Sequence, residues 1–343
     1  VNPGRPPRAK IWLGVAFGIG CIVLFSWNAH WVEIGRVLTQ ANLPLTGLAA
    51  LFLLMTSVAR AWRWRHLLPG AEVSFRHRLT STLIGFAGNN VLPGRLGEPL
   101  RCWVLGRLDR RIGFWQAAGS VLIERVFDLS AAVIALVGFL LLAPFPANAR
   151  VRDAAFLSRL EANAALVAVA IAIALGALVV VARRRMRVDT GRRSRVAGAV
   201  GALQEGFAGV RSLRALMAAA FLTVVLWTSM LLFEFSMLRA FGFTELGPAH
   251  ALGLLVVLSF AIALPQAPAG VGVVQLASET TLTALYGMPL TRAKAFAIGL
   301  WACQVGVVVG AGAVALWIEG LSLSEMRRAR GSLDRLKGIS PPE

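Results

Sequence analysis

Acidic residues are scarce in this chain: 17 Asp and Glu stand against 35 Lys and Arg, a formal net charge of +18. Charge of either sign is itself thin, at 15% of 343 residues, where a soluble domain carries about a quarter. Cysteine is nearly absent, with Cys21 and Cys303 in apolar runs and Cys102 after an arginine. None sits in a CxxC or Cys/His array, which excludes a disulfide framework and a thiolate metal centre. The four histidines, His30, His66, His77 and His250, are scattered, and no HExxH pair occurs. No GxxxxGK[ST] loop is present to cradle nucleotide phosphates. No serine lies in a G-x-S-x-G elbow. These absences argue against an enzyme, and the expectation is no metal and no cofactor.

Apolar sequence fills the space that charge leaves. Hydrophobic residues make up 57% of the chain, and mean hydropathy is +0.69. Lipid offers no partner for a free N–H or C=O, so spanning segments are helices or closed barrels. Barrel strands would read as short alternating stretches. Here the apolar runs are long and continuous, close to the roughly 20 residues that a spanning helix needs. The expectation is an all-α integral membrane protein.

Candidate spans are Ile11 to Trp27, Leu43 to Ala61, Phe114 to Ala143, Ala162 to Ala182, Ala215 to Leu238 and Ala293 to Trp317. Arg5, Arg8 and Lys10 precede the first, as in a signal peptide. Its run exceeds the usual h-region and no A-x-A site follows, so it reads as a span. Two further stretches, Leu79 to Leu105 and Ala249 to Leu290, are broken near their middles at Leu92-Pro93-Gly94 and Leu264-Pro265-Gln266. Proline removes a donor and restricts the preceding residue, so each predicts two short helices joined by irregular backbone.

Basic residues set the orientation. With the N-terminus inside, the inner segments hold Arg5, Arg8, Lys10, Arg63, Arg65, Arg76, Arg78, Arg101, Arg107, Arg110 and Arg111. They also hold the arginines between Arg183 and Arg214 and those after Arg327. The outer segments hold only Arg36, Arg150, Arg152, Arg159, Arg239, Arg292 and Lys294. The positive-inside rule then predicts a multi-pass protein of the inner (plasma) membrane with both termini cytoplasmic. Because the basic residues gather at helix ends, their partner is the anionic inner leaflet, chiefly through the loop 183–195, and not nucleic acid.

Each broken stretch then begins and ends on one face. It is either a re-entrant hairpin or a pair of full spans. The order span, span, broken pair, span occurs twice, and the second time it starts from the opposite side. That is the layout of inverted-topology repeats, whose sites lie where the broken helices meet; chance symmetry of Pro-broken helices is the alternative. The predicted division is a tail (1–10), a first repeat (11–143) with hairpin 79–105, and an outer loop (144–161). A second repeat (162–318) follows, with basic loop 183–214 and hairpin 249–290, and then a tail (319–343).

Ionisable residues at membrane depth are costly and usually line a cavity or pair with each other. The first break carries Asn89, Asn90, Pro93, Gly94, Arg95, Gly97, Glu98 and Arg101. Arg95 and Arg101 offer planar donor forks suited to phosphate. Glu98 can neutralise Arg95 or exchange a proton. Asn89 and Asn90 can equally satisfy freed backbone groups, and Arg95 with Glu98 can equally be a structural salt bridge. On the next span, Glu124, Arg125 and Asp128 follow; Glu124 and Asp128 share a helix face and repel, so a cation belongs between them. Arg95 is the expected one, unless these charges are wet at the inner interface. The second break carries Pro265, Pro268, Gly270 and Gly272 but no charge. Gln275, Glu279 and Glu234 are the candidate proton sites on that side.

The LPGRLGE turn with Arg101 (92 to 101), ERVFD (124 to 128) and the P-x-G-x-G turn (268 to 272) resemble, in order and spacing, the membrane-domain family of lysylphosphatidylglycerol synthases. The resemblance covers nearly the whole chain. It implies a lipid flippase domain. In two-part relatives this region translocates aminoacylated phospholipid that a separate soluble domain makes. With no such domain after Trp317, the resemblance implies a stand-alone translocator without synthesis. Family turns usually continue to a Glu where this chain has Gln275, which puts proton coupling at that position in doubt.

The resulting expectation is a bundle with two hairpins enclosing a polar cavity open to lipid. A phosphate-bearing head group would pass through it, flippase- or scramblase-fashion, against Asn89, Asn90, Arg95, Glu98, Arg101, Glu124, Arg125 and Asp128. Gly94, Gly97, Gly270 and Gly272 would permit close backbone approach. A secondary transporter of a small polar solute and an accessory subunit of lipid biosynthesis remain open alternatives.

Overall fold

The computed structural model describes residues 8–68, 72–92, 96–142, 212–263 and 267–321. The expected span 162–182, the outer loop 144–161, nearly all of the basic loop 183–214, and Pro93, Gly94, Arg95 and Pro265 lie outside the described residues. So does most of both tails.

Every described element is helical. The helices are α1 (Arg8–Ser26), α2 (Trp31–Thr39), α3 (Leu43–Leu67), α4 (Phe75–Val91), α5 (Gly97–Leu108) and α6 (Phe114–Leu142). After the undescribed stretch come α7 (Leu213–Ala240), α8 (Pro248–Ala263), α9 (Val273–Thr280) and α10 (Leu290–Ile318). A single π-helical turn, Thr281–Leu285, extends α9. Local chemistry explains several starts. Asn42 Oδ1 accepts from Leu45 N at 3.0 Å ahead of Pro44, and Ser74 Oγ accepts from His77 N at 3.2 Å. Each satisfies one donor orphaned at a helix N-terminus.

Polarity is distributed as lipid demands and water forbids. Leu51, Leu54 and Val58 on α3, Phe221 and Val224 on α7, and Val314 and Trp317 on α10 are exposed, while Arg63, Arg101, Glu124 and Lys294 are buried. By length and composition α3, α7 and α10 can each cross a membrane, at 25, 28 and 29 residues. Helix α6 is as long, 29 residues, but carries Glu124, Arg125 and Asp128 in one stretch. The protein is an integral membrane protein with a helical core.

Two features depart from the sequence expectation. The second span runs on past Ala61 to Leu67. Arg63 is therefore not an inner-loop residue; it is a fully buried one. Hydropathy falls at the run of arginines, but acids from another helix receive them. Likewise α10 begins at Leu290, and Lys294, expected in an outer loop, lies inside it at 1% exposure. Helix α2 is an addition. It turns 91° from α1 and buries only Ile34, leaving Trp31 and Val32 exposed, the habit of an interfacial helix.

Helices α3 and α7 form the central pair. They run antiparallel: Asn42 N donates to Ala240 O at one end, and Arg63 reaches Thr223 near the other. Helix α4 packs on α10 and α8 packs on α6. Within each half, α5 lies between α4 and α6, and α9 between α8 and α10. The α4 and α5 arms touch backbone to backbone. A Cβ on Gly97 would fall 1.9 Å from Gly85 O, so glycine is required there. The second break turns through Pro268–Gly270, with left-handed Ala269 (φ 58°), Gly270 (φ 65°) and Gly272 (φ 84°). Ala269 pays a Cβ clash in that region; its carbonyl accepts from Trp301 Nε1 at 2.9 Å, which holds the turn. This turn packs on α4, so the two broken pairs meet.

Candidate functional site

The contact of α3, α5, α6 and α7 encloses a cluster of charge. Arg101 on α5 grips Glu124 on α6 with both terminal nitrogens, at 2.7 and 3.2 Å. Its guanidinium stacks 3.6 Å from the Trp64 ring centroid, and Trp64 Nε1 donates to Ser120 Oγ at 2.8 Å. One turn along α6, Asp128 accepts from Arg60 at 2.8 Å and from Arg63 at 2.7 Å. The same Arg63 nitrogen also donates to Thr223 Oγ1 at 2.9 Å, and Arg63 Nε lies 3.9 Å from Glu124. The cation expected between the two acids is thus supplied by α3 and α5. Arg95 was the expected donor; the described residues give that role to Arg60, Arg63 and Arg101.

Among the described residues three arginines face two carboxylates, so the cluster they form carries a formal charge of +1. Arg63 Nε and Nη2 and Arg101 Nε have no hydrogen-bond partner among the described residues. A rim pair continues the cluster outward. Arg125 hydrogen-bonds Glu98, and Arg125 Nη1 lies 3.6 Å from Asp128. Glu98 and Arg125 are 36% and 42% exposed, against 2% for Glu124. Charge therefore runs without a gap from the surface into the core. Glu98 is paired across to α6; its expected pairing with Arg95 falls outside the described residues.

The two asparagines of the first break serve the backbone. Asn89 Oδ1 accepts from Gly97 N at 2.8 Å, closing α4 onto the start of α5. Asn90 Nδ2 donates to Phe86 O at 2.9 Å. Asn89 caps a donor that the break frees, whereas Asn90 back-bonds to a carbonyl one turn earlier within α4.

A second, smaller group lies in the other half. Lys294 on α10 pairs with Glu279 on α9 at 3.1 Å, hydrogen-bonds Phe25 O, and sits 4.6 Å from the Phe25 ring. Gln275 Oε1 accepts from Gly272 N at 2.8 Å, a cap at the turn. Glu234 is buried on α7, and its Oε2 has no partner among the described residues. Sequence reading singled out these three but missed Lys294, because it sits two residues from the half-buried Arg292 and looks like a loop charge. Lys294→Met should lower unfolding stability by about 3 kcal/mol, the scale for breaking a buried pair. Melting in detergent measures it, and Glu279→Gln on top should recover part of the loss; a purely additive second loss would show the pair is not coupled.

The model of the lysylphosphatidylglycerol synthase TM region matches residues 11–327. The chain belongs to this family. The matched range takes in both broken pairs and both charge groups, so the lysylphosphatidylglycerol synthase membrane region is the whole described architecture and not a fragment of it. No curated protein matches the chain. In this family member the second turn holds Gln275 as a cap, and the ionisable side chain one helical turn on, Glu279, is already neutralised by Lys294.

Proposed function

We propose that this protein moves a phosphate-bearing polar lipid between the leaflets of the inner membrane. The head group passes along the charged interior while the tails stay in the bilayer. The observation that carries this reading is the cluster of Arg60, Arg63, Arg101, Glu124 and Asp128. It is nearly solvent-free, one positive charge in excess, and joined to the surface through Arg125 and Glu98. Structural pairing alone is satisfied by equal charges; an excess cation in a low-dielectric site favours an anion.

Reciprocal packing supports an inverted repeat. Helix α4 on α10 is answered by α8 on α6, and α3 lies antiparallel on its counterpart α7. In both halves an ion pair ties the second arm of the broken pair to the following helix, Arg101–Glu124 and Glu279–Lys294, with the charges exchanged. The broken pairs would then be re-entrant and enter from opposite faces. With both termini inside, the arginine cluster sits toward the inner face; Glu124 is about ten residues, or about 15 Å, from the start of α6. Lys294 sits toward the outer face. The protein acts as a translocator and catalyses no covalent chemistry.

The test is translocation in proteoliposomes. Fluorescent phosphatidylglycerol and its lysyl derivative are followed by dithionite quenching. Wild type should accelerate exposure of the protected label. Arg125→Ala, whose side chain is half exposed and whose loss the fold tolerates, should slow it about tenfold, the equivalent of one charge-assisted hydrogen bond. Arg95→Ala should act likewise. Acceleration unaltered by either substitution would remove the charged route, and a protein inert toward both lipids but carrying a soluble anion would favour a solute transporter.

A further inference from the structure

We propose a second anion site, separate from the buried cluster: a phosphate pocket between the end of α3 and the start of α4. Trp62, Arg65, His66, Phe75 and Arg78 line a cavity of about 330 Å³. That is the lower end of the range for small-ligand pockets, the size of a head group. The walls are aromatic: Trp62 and Phe75 meet edge to face at 6.1 Å. The polar side is wholly basic. Arg78 is 5% exposed, its guanidinium stands 6.0 Å from the Phe75 ring, and its Nε is buried without a hydrogen-bond partner among the described residues.

No acid among the described residues lies within ion-pair distance of Arg65 or Arg78. Asp109 is engaged by Arg111 and Glu319 by Arg76, and Glu72 in the connecting segment is exposed. Arg65 and His66 at the end of α3 are favoured by the helix dipole. Arg78 is not; it lies in the first turn of α4, where a cation is disfavoured, and it is buried there. A buried, unneutralised arginine in a basic cavity calls for an anion, and its planar donor fork matches phosphate. Trp62 is 56% exposed on the face that meets lipid, so the chemistry is a phosphate group with an apolar continuation. On the positive-inside orientation this end faces the inner leaflet. The site does not rest on translocation, and its test reads binding alone.

Protein stripped of lipid in a maltoside detergent is titrated with dioctanoyl phosphatidylglycerol, dioctanoylglycerol or inorganic phosphate, and adducts are counted by native mass spectrometry. Wild type should hold one phosphatidylglycerol tightly and no dioctanoylglycerol. Arg78→Gln and Arg65→Gln should each weaken that adduct about tenfold, as loss of a charge-assisted contact does. Arg110→Gln, an exposed arginine outside the pocket, should leave it unchanged. Arg65 is exposed, so its variant keeps the comparison alive if Arg78→Gln fails to fold. Displacement of the lipid by inorganic phosphate at similar concentration would assign the site to free phosphate, and no displacement would assign it to the lipid. Equal phosphatidylglycerol affinity in all four proteins, or equal affinity for dioctanoylglycerol, overturns the proposal.

Discussion

Arg63→Ala is expected to destabilise the protein by about 3–5 kcal/mol, the scale for removing one partner of a buried ion pair. Arg63 is 0% exposed and serves Asp128, Thr223 and, at longer range, Glu124. Its removal leaves Asp128 with Arg60 as its only hydrogen-bonded cation among the described residues, and Thr223 without the donor Arg63 supplied. Lysine should not restore the loss, since a single ammonium cannot span those partners as a planar fork does. Denaturant or thermal unfolding in detergent measures the effect. The Arg63→Ala/Asp128→Ala double variant should be less destabilised than the sum of the singles, because it removes the orphaned charge. Strict additivity would mean that the two side chains do not share an energy, and the cluster would lose its structural basis.

Gly97→Ala should be nearly as damaging, at about 3 kcal/mol, the upper end for overpacking. The added methyl would lie 1.9 Å from Gly85 O and 2.5 Å from Asn89 Oδ1. Relief requires α5 to move away from α4. That movement breaks the Asn89–Gly97 hydrogen bond and draws Arg101, one turn further on, off Glu124. On the proposed function, translocation should fall with stability, because α5 carries Arg101. Asn89→Ala is the matched control: it loses the hydrogen bond, about 1 kcal/mol, and leaves the arms in contact. A Gly97→Ala protein that melts and transports like wild type would show that the arms do not meet at this glycine.

The two breaks and the membrane class were readable from composition, apolar run length and proline. Less of the site was. Glu124 and Asp128 on one helix face announced that a cation was needed. The identity of that cation was not readable, because Arg60 and Arg63 lie more than sixty residues away and meet the acids only when α3 packs on α6 and α7. Arg63 and Lys294 were placed in loops for the same reason. A hydropathy run stops at a charge, whereas a helix continues through one that a neighbour neutralises. Helix α2 was passed over because nine residues with one buried side chain leave little periodicity to detect.

The sequence by itself determined the solvent: too little charge for water and long apolar runs. It determined where the backbone must break, since proline and glycine act locally. Only the tertiary structure decided which charges are buried and which are paired. Those are properties of two helices at once, set by close approach at Gly97 and by partners from distant segments. Among the described residues it was also packing that left one arginine in excess within the core and Arg78 with no acid beside it, and a balance of charges between helices has no signature in any single stretch of chain.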